Sequence, residues 1–370
     1  MKILELTNYS AGICGVWQRV KQESLLLSKK HQVVVFSSNR TKGSEEIAPE
    51  EDRLGKVKIL RFKATKLGGE SYMQWDFEKK ALKYAPDIII AHSYRHQHTT
   101  KAIKVAEKLR EGGEKCKVFL VTHAPFIEEG TRSIIANLIV NFYDLTIGKK
   151  NINKFDKILH ITRWEIPSLE QLGVKKEKLF YSPNGIPEEF FLTKNSSKEE
   201  NKILFLGRVS PIKNLETLIR ALSKINDKKI KLEIVGPAEP AYKHKLLELI
   251  KKLSLKNRVI FSPAIYDTKE KIKKIDTCKI FVLPSKRESM PQALIEAMAR
   301  EKIVIASNNQ GTAELIQDKK NGLLFNSERE LIDILNNLKK TNTGEIKKRA
   351  RKTVVKFKWG KIIKDLEGLF

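Results

Sequence analysis

Residues 280–307 read IFVLPSKRESMPQALIEAMAREKIVIAS. A short apolar run ends at Pro284, a polar loop carries Glu288, and Pro291 stands where proline is favoured, in the first turn of a helix. Apolar residues then recur at helical spacing as far as Arg300, and a second β-branched run follows at once at 303–307. Strand, loop, helix and strand in this order form the repeating unit of a parallel sheet with crossover helices.

The same alternation extends in both directions. Upstream, strands are expected at 202–206, 231–235 and 259–262, with helices at 215–225, 242–253 and 268–275. Downstream, a helix at 312–316 precedes a strand at 322–325. The first half repeats the pattern, with strands at 2–7, 32–37, 87–91, 117–122, 157–161 and 178–182 and helices at 16–28, 99–109 and 167–172. Between the halves, Pro183, Gly185 and Pro187 lead into KNSSKEE at 194–200, the composition of an exposed linker. The expectation is an α/β protein of two Rossmann-like doubly wound domains facing a cleft. Residues 1–186 form the first, 187–200 the linker, 201–355 the second and 356–370 a terminal helix. Ligands of such sheets bind outside the carboxyl ends of the strands, so chemistry is expected at those ends.

Two segments carry that chemistry. The helix after Pro291 directs unpaired backbone N–H groups, from Gln292 and Ala293 onward, toward an anion, while Glu288 and Glu296 offer acceptors to sugar hydroxyls. In the segment 204–216, LFLGRVSPIKNLE, a strand ends in Gly207 and Arg208, and Lys213 lies five positions on, before a helix. An arginine fork and a lysine point charge converging on one diphosphate stabilise the negative charge of a departing nucleotide. No Asp-x-Asp pair occurs to chelate a divalent ion, so no metal is expected.

These residues resemble the retaining GT-B glycosyltransferases with an E-x7-E element, the glycosyl transferases group 1 that include sucrose synthases and bacterial mannosyltransferases. Asn184-Gly185-Ile186, Gly311-Thr312-Ala313-Glu314 and Asn321-Gly322 add to the likeness, which spans essentially the whole chain. The resemblance implies that Arg208 and Lys213 hold the donor diphosphate, Glu288 the transferred sugar and Glu296 the ribose. Gly207, Ser289, Met290, Pro291, Gln292 and Ala293 would line the donor. His123, at a strand end, matches the family histidine near the reacting sugar, with His92 at a neighbouring strand end. Gly12 and Gly15 belong to the loop that approaches acceptor and phosphates, where Cys14-Gly15 replaces a Gly-Gly pair. Gly236, Pro263 and Ala264 would cup the base, although Ala238 and Pro263 replace family glycines. The terminal helix would cross back onto the first domain.

The implied reaction moves a hexose-type sugar from a nucleotide diphosphate sugar, a substrate rather than a cofactor, to a glycan or lipid-linked acceptor. A sugar-nucleotide epimerase or phosphorylase of the same fold is the alternative, and a non-catalytic polyanion- or membrane-binding protein the alternative from another class.

Composition bounds the rest. Three cysteines, odd in number and far apart in 370 residues, argue against a disulfide framework or zinc site. The opening MKILELTN has no signal-peptide pattern, and no apolar run approaches the roughly 20 residues needed to span a bilayer. A cytoplasmic location is expected, with peripheral attachment at the inner face of the plasma membrane as an extension. The net charge of +27 is spread along the chain without a nucleic-acid-binding pattern, so no nucleic acid partner is expected, and an anionic membrane surface is a candidate partner. Residues 128–150 are read as an ordinary packed helix, with contact to a bilayer as the alternative. His96 and His98 are read as solvated or acceptor-facing.

Overall fold

The computed structural model describes residues 1–12, 14–66, 69–126, 133–192 and 198–370. Ile13 of the first glycine loop, residues 128–132 of the apolar segment and residues 193–197 of the expected linker lie outside the described residues. The chain divides into two compact units, one of Met1–Asn184 with Trp359–Phe370, the other of Gly185–Lys358.

In the first unit the strands are β1 (Lys2–Thr7), β2 (Gln32–Ser38), β3 (Glu51–Leu54), β4 (Val57–Phe62), β5 (Ala64–Lys66), β6 (Met73–Trp75), β7 (Ile88–His92), β8 (Lys117–Val121), β9 (Lys157–His160) and β10 (Leu179–Tyr181). Eight make one sheet in the order β10-β9-β8-β7-β1-β2-β4-β3, and β5 and β6 form a separate antiparallel ribbon. Pairing is parallel except for β3, which runs antiparallel to β4 at the edge. The purely parallel reading of this half is therefore corrected. The sequence EDRL of β3 is charged and largely exposed, as suits an edge strand that must resist further pairing, so it carries no apolar signal.

Alternation along the central strands sends Leu4, Leu6, Ile89 and Ala91 to one apolar layer and Ile3, Ile88 and Ile90 to the other. The second layer is closed by helix Gly15–Leu27 and the terminal helix Trp359–Glu367, which contribute Trp17, Val20, Leu27, Trp359, Ile362, Ile363 and Leu366.

The second unit contains β11 (Glu200–Leu206), β12 (Lys231–Val235), β13 (Val259–Ser262), β14 (Cys278–Leu283), β15 (Ile303–Ser307) and β16 (Leu323–Phe325). All pair in parallel, in the order β13-β12-β11-β14-β15-β16. The order reverses between β11 and β14, the crevice where open α/β sheets take their ligands.

Two expectations fail. Part of the expected linker is core: in helix Glu189–Leu192, Phe190 and Phe191 are buried, and their carbonyls accept hydrogen bonds from Arg300 and Arg351. Adjacent phenylalanines outweighed the polar residues around them. Conversely, helix Ile134–Tyr143 is no packed core helix, because none of its residues is buried.

Truncating Trp359, 3% exposed, to alanine should cost the first unit about 3–5 kcal/mol. Urea unfolding followed by a probe confined to that unit reads the loss.

Candidate functional site

The turns leaving β11 and β12 touch backbone to backbone. A Cβ on Gly236, at φ 144°, would fall 2.0 Å from the Gly207 carbonyl oxygen, so only glycine fits. Gly207 N donates to Val235 O at 3.0 Å, Gly236 N to Ser262 O at 3.3 Å and Val209 N to Pro237 O at 2.8 Å. Gly207, Gly236 and the turn through Pro263 and Ala264 are thus held side by side at the carboxyl edge.

Across the strand-order reversal, the loop after β11 meets the loop after β14. Lys213 Nζ lies 2.5 Å from Glu288 Oε1, which also accepts from Ser285 Oγ at 2.6 Å, while Lys286 N donates to Ile212 O at 2.9 Å. Asn309 Nδ2 donates to Ser285 O at 3.1 Å and holds the start of the Glu288 loop. At Gly311 a Cβ would stand 2.4 Å from the Glu288 carbonyl oxygen, so a side chain there would push this loop away. Arg208 is exposed and forms no hydrogen bond or ion pair among the described residues, which leaves its guanidinium available to an anion.

Pro291 is the cap of helix Gln292–Ala299 rather than its first residue, and no side chain caps that end. The early amides at Gln292 and Ala293 lie beside the half-buried Ser289 and Met290, and Gln292 Nε2 donates to Gly185 O at 3.3 Å. Glu296 departs from the expectation of an open acceptor. Only 4% exposed, it pairs with Lys271 at 3.0 Å, and its Oε2 has no hydrogen-bond partner among the described residues. Burial pushes its carboxyl up, opposed by the Lys271 charge.

The first unit has its own cluster at the reversal between β1 and β7. His92 Nε2 lies 2.7 Å from Glu5 Oε2, and His92 Nδ1 lies 2.9 Å from His123 Nε2. Beside them the buried Arg19 pairs with Glu23 at 2.9 Å and donates to Ser182 O at 2.8 Å. Burial pushes the Glu5 carboxyl up to about 8 against the pull of Arg19, and holds His92 down at about 3. The Glu5–His92 contact is therefore a neutral hydrogen bond rather than an ion pair. Glu5, Glu23 and His92 bring three donor atoms together, but Arg19 already supplies the cluster's positive charge.

Gly12, at φ 81°, is required by packing, since a Cβ would meet Lys42 O at 2.2 Å; Gly15 opens the first helix with free space around it. His98 is buried and donates through Nε2 to His92 O at 2.8 Å, which corrects its reading as solvated; His96 lies near Tyr94 O at 3.2 Å. Burial pushes the Cys116 and Cys278 thiols up to about 12, which leaves both inert.

Sequence reading missed Glu5, Arg19, Glu23, Ser285 and Lys271, and gave Gly311 no role beyond the likeness. A signal existed for the first three. Glu5 interrupts a buried strand, and Arg19 and Glu23 stand four apart on the helix face that carries Val20 and Leu27. The other three act through tertiary contacts alone.

Comparison with known proteins agrees with this architecture. An uncharacterized glycosyltransferase of Methanocaldococcus jannaschii is 28% identical over 284 residues, 70% of this chain and 68% of its own length. The capsular polysaccharide biosynthesis glycosyltransferase CapH of Staphylococcus aureus is 32% identical over 166 residues, 44% of this chain and 45% of its own. Among solved structures, Anabaena HepE in complex with UDP and glucose superposes with a TM-score of 0.73 at 19% identity, covering 100% of this chain and 99% of that one. Residues 188–354 match the family model of the Glycosyl transferases group 1. This segment of the second unit is thus similar to the Glycosyl transferases group 1, in a chain whose two Rossmann-like units have the GT-B fold.

Proposed function

We propose that this chain is a retaining, metal-independent glycosyltransferase that moves a hexose from a nucleotide diphosphate sugar to a glycan or lipid-linked acceptor. The observation that carries the reading is the meeting of Lys213 and Glu288 at the strand-order reversal, beside an uncapped helix end. A cation, a carboxylate and free amides at one point suit a ligand with both phosphates and hydroxyls. The named relatives and the HepE complex with UDP and glucose favour the same class.

On this reading the donor diphosphate takes Lys213 from Glu288 and is clasped by Arg208, whose planar fork suits two phosphate oxygens. Glu288, released, accepts from hydroxyls of the transferred sugar, while the amides at Gln292 and Ala293 receive its oxygens or the phosphate. Glu296 Oε2 receives a ribose hydroxyl, and the turns at Gly236 and Pro263 border the base. As the anomeric bond breaks, charge builds on the diphosphate, so the two cations stabilise the transition state more than the ground state. The departing phosphate takes the acceptor proton on the same face, which retains configuration.

The acceptor side adds a membrane surface. Ile134, Leu138, Phe142 and Leu145 are each more than 60% exposed on helix Ile134–Tyr143 and the turn of helix after it. Exposed Lys149 and Lys150 follow, and the Lys149 chain reaches Gly173, next to exposed Lys175 and Lys176. The one acid in the stretch, Asp144, is neutralised by Arg95 at 2.6 Å. Fifteen helical residues span about 22 Å, short of the roughly 30 Å of a hydrocarbon core, and no described helix is long and apolar enough to cross a membrane. An apolar helix with a basic rim suits a position in the plane of an anionic bilayer.

Arg208→Ala, Lys213→Ala and Glu288→Ala should each lower turnover of the preferred UDP-, GDP- or ADP-sugar by roughly 10²–10³-fold with the fold intact. Wild-type rates in all three refute the site. Proton NMR of the product reads the anomeric configuration, and incubation of the donor alone or with phosphate exposes an epimerase or phosphorylase. Gly311→Ala should raise the donor KM by displacing the Glu288 loop.

Vesicles containing phosphatidylglycerol should sediment the protein, pure phosphatidylcholine vesicles should not, and Phe142→Glu with Leu145→Glu should abolish binding. Equal sedimentation by both lipids, or a concentration-dependent dimer lost in the same variant, overturns the membrane assignment.

A further inference from the structure

We infer that Glu5, His92 and His123 form one proton-conducting chain, in which the buried carboxyl decides whether the outer nitrogen of His123 donates or accepts a hydrogen bond. The inference rests on the proposed glycosyl transfer only for its use, not for its existence.

Geometry sets the chain. Glu5 Oε2 meets His92 Nε2 at 2.7 Å, and His92 Nδ1 meets His123 Nε2 at 2.9 Å, leaving His123 Nδ1 as the open end, without a partner among the described residues. Glu5 and His92 are fully buried and His123 only partly so, so the chain leads from the sheet interior to the carboxyl edge. The edge is held in strained backbone: His123 and Ala124 adopt φ of 58° and 52°, and Ala124 N donates to the buried Glu165 carboxylate at 3.1 Å.

A neutral imidazole carries one N–H, so each link fixes the next. With Glu5 protonated, its O–H donates to His92 Nε2, His92 Nδ1–H donates to His123 Nε2, and the remaining proton of His123 sits on Nδ1 as a donor. When one proton leaves Nδ1, the Nδ1 proton of His92 crosses to His123 Nε2 and the Glu5 proton crosses to His92 Nε2. Three protons become two, and the negative charge ends on Glu5. Arg19 and Glu23 face that carboxyl from the first helix, His98 on helix Gln97–Glu111 and His96 just before it flank the imidazoles, with Lys42 beyond His96, and Glu165 lies under Ala124. Only Arg19 among them favours the ionised state of Glu5 by direct attraction.

Burial holds His92 down at about 3 and His123 well below the usual histidine range, while Glu5 is pushed up to about 8. Both rings are therefore neutral at pH 7 with Glu5 protonated, and His123 presents a donor. The donor is lost as pH rises through the Glu5 value. For a glycosyltransferase this places an N–H against a sugar oxygen at neutral pH, with Glu5 and His92 as positioning residues and His123 as the group that touches substrate.

The test is imidazole ¹⁵N NMR on the full chain from about pH 6 to pH 10. In the wild type, His92 and His123 signals should move together through one midpoint, and in Glu5→Gln neither should move. Independent titration of His123 with His92 unchanged, or wild-type curves in Glu5→Gln, overturns the chain. Should Glu5→Gln not fold, His92→Gln serves instead, and His123 should then lose the shared midpoint; its retention overturns the inference. None of these readouts needs a substrate, so they stand apart from the transferase reading. In donor turnover, wild-type kcat should fall through the same midpoint, while Glu5→Gln, whose amide N–H can replace the carboxyl O–H toward His92 Nε2, should show a flat profile with unchanged donor KM. An alkaline limb that persists in Glu5→Gln contradicts the inference.

Discussion

Parallel strands cannot be joined by tight turns, so each crossover must leave the sheet, travel over one face as a helix and return. Where the chain reverses its direction of strand addition, the two neighbouring crossovers go to opposite faces and their loops part at the carboxyl edge. In the second unit this happens between β11 and β14, and Lys213 and Glu288 stand on the two loops concerned. In the first unit it happens between β1 and β7, whose residues Glu5 and His92 open the chain to His123. Both clusters owe their place to this single topological consequence.

The second theme is charge held in poorly hydrated surroundings. A buried ion costs several kcal/mol unless it is paired or neutral, and the molecule uses both remedies. Lys213–Glu288, Lys271–Glu296 and Arg19–Glu23 are pairs, whereas Glu5 and His92 share a neutral hydrogen bond. Pairing is incomplete in an informative way: Glu296 Oε2, Glu5 Oε1 and Glu23 Oε1 are buried without partners among the described residues. An unsatisfied buried acceptor costs stability, and such atoms recur where a ligand or a proton is to be received.

Much of this was legible beforehand. The parallel strands announced themselves because burial on both faces demands continuous apolar runs, as at Ile88–His92 and Ile303–Ser307. The E-x7-E segment and Gly207-Arg208 were legible because their types and spacing are local. The region of β3 to β6 escaped: EDRL at the edge and the short ribbon strands need no such pattern, and Lys58 and Arg61 interrupt the apolar run of β4. Polar composition hid Phe190 and Phe191 inside an expected linker, and apolar composition suggested a packed helix where Ile134–Tyr143 is exposed. In each case the error lay in which neighbour covers a side chain, which periodicity does not record.

The amino-acid sequence by itself determined the two α/β units, the order of their strands and helices outside the region of β3 to β6, and the residue types offered at the strand ends, because periodicity, turn residues and helix signals act over a few positions. Tertiary structure alone decided that Glu288 faces Lys213 while Glu296 faces Lys271, that Gly311 and Gly236 are obligatory, and that Glu5, His92 and His123 join across 118 residues. The reason is physical: strand order and register place distant residues within hydrogen-bond reach, and desolvation then sets the charge each one carries.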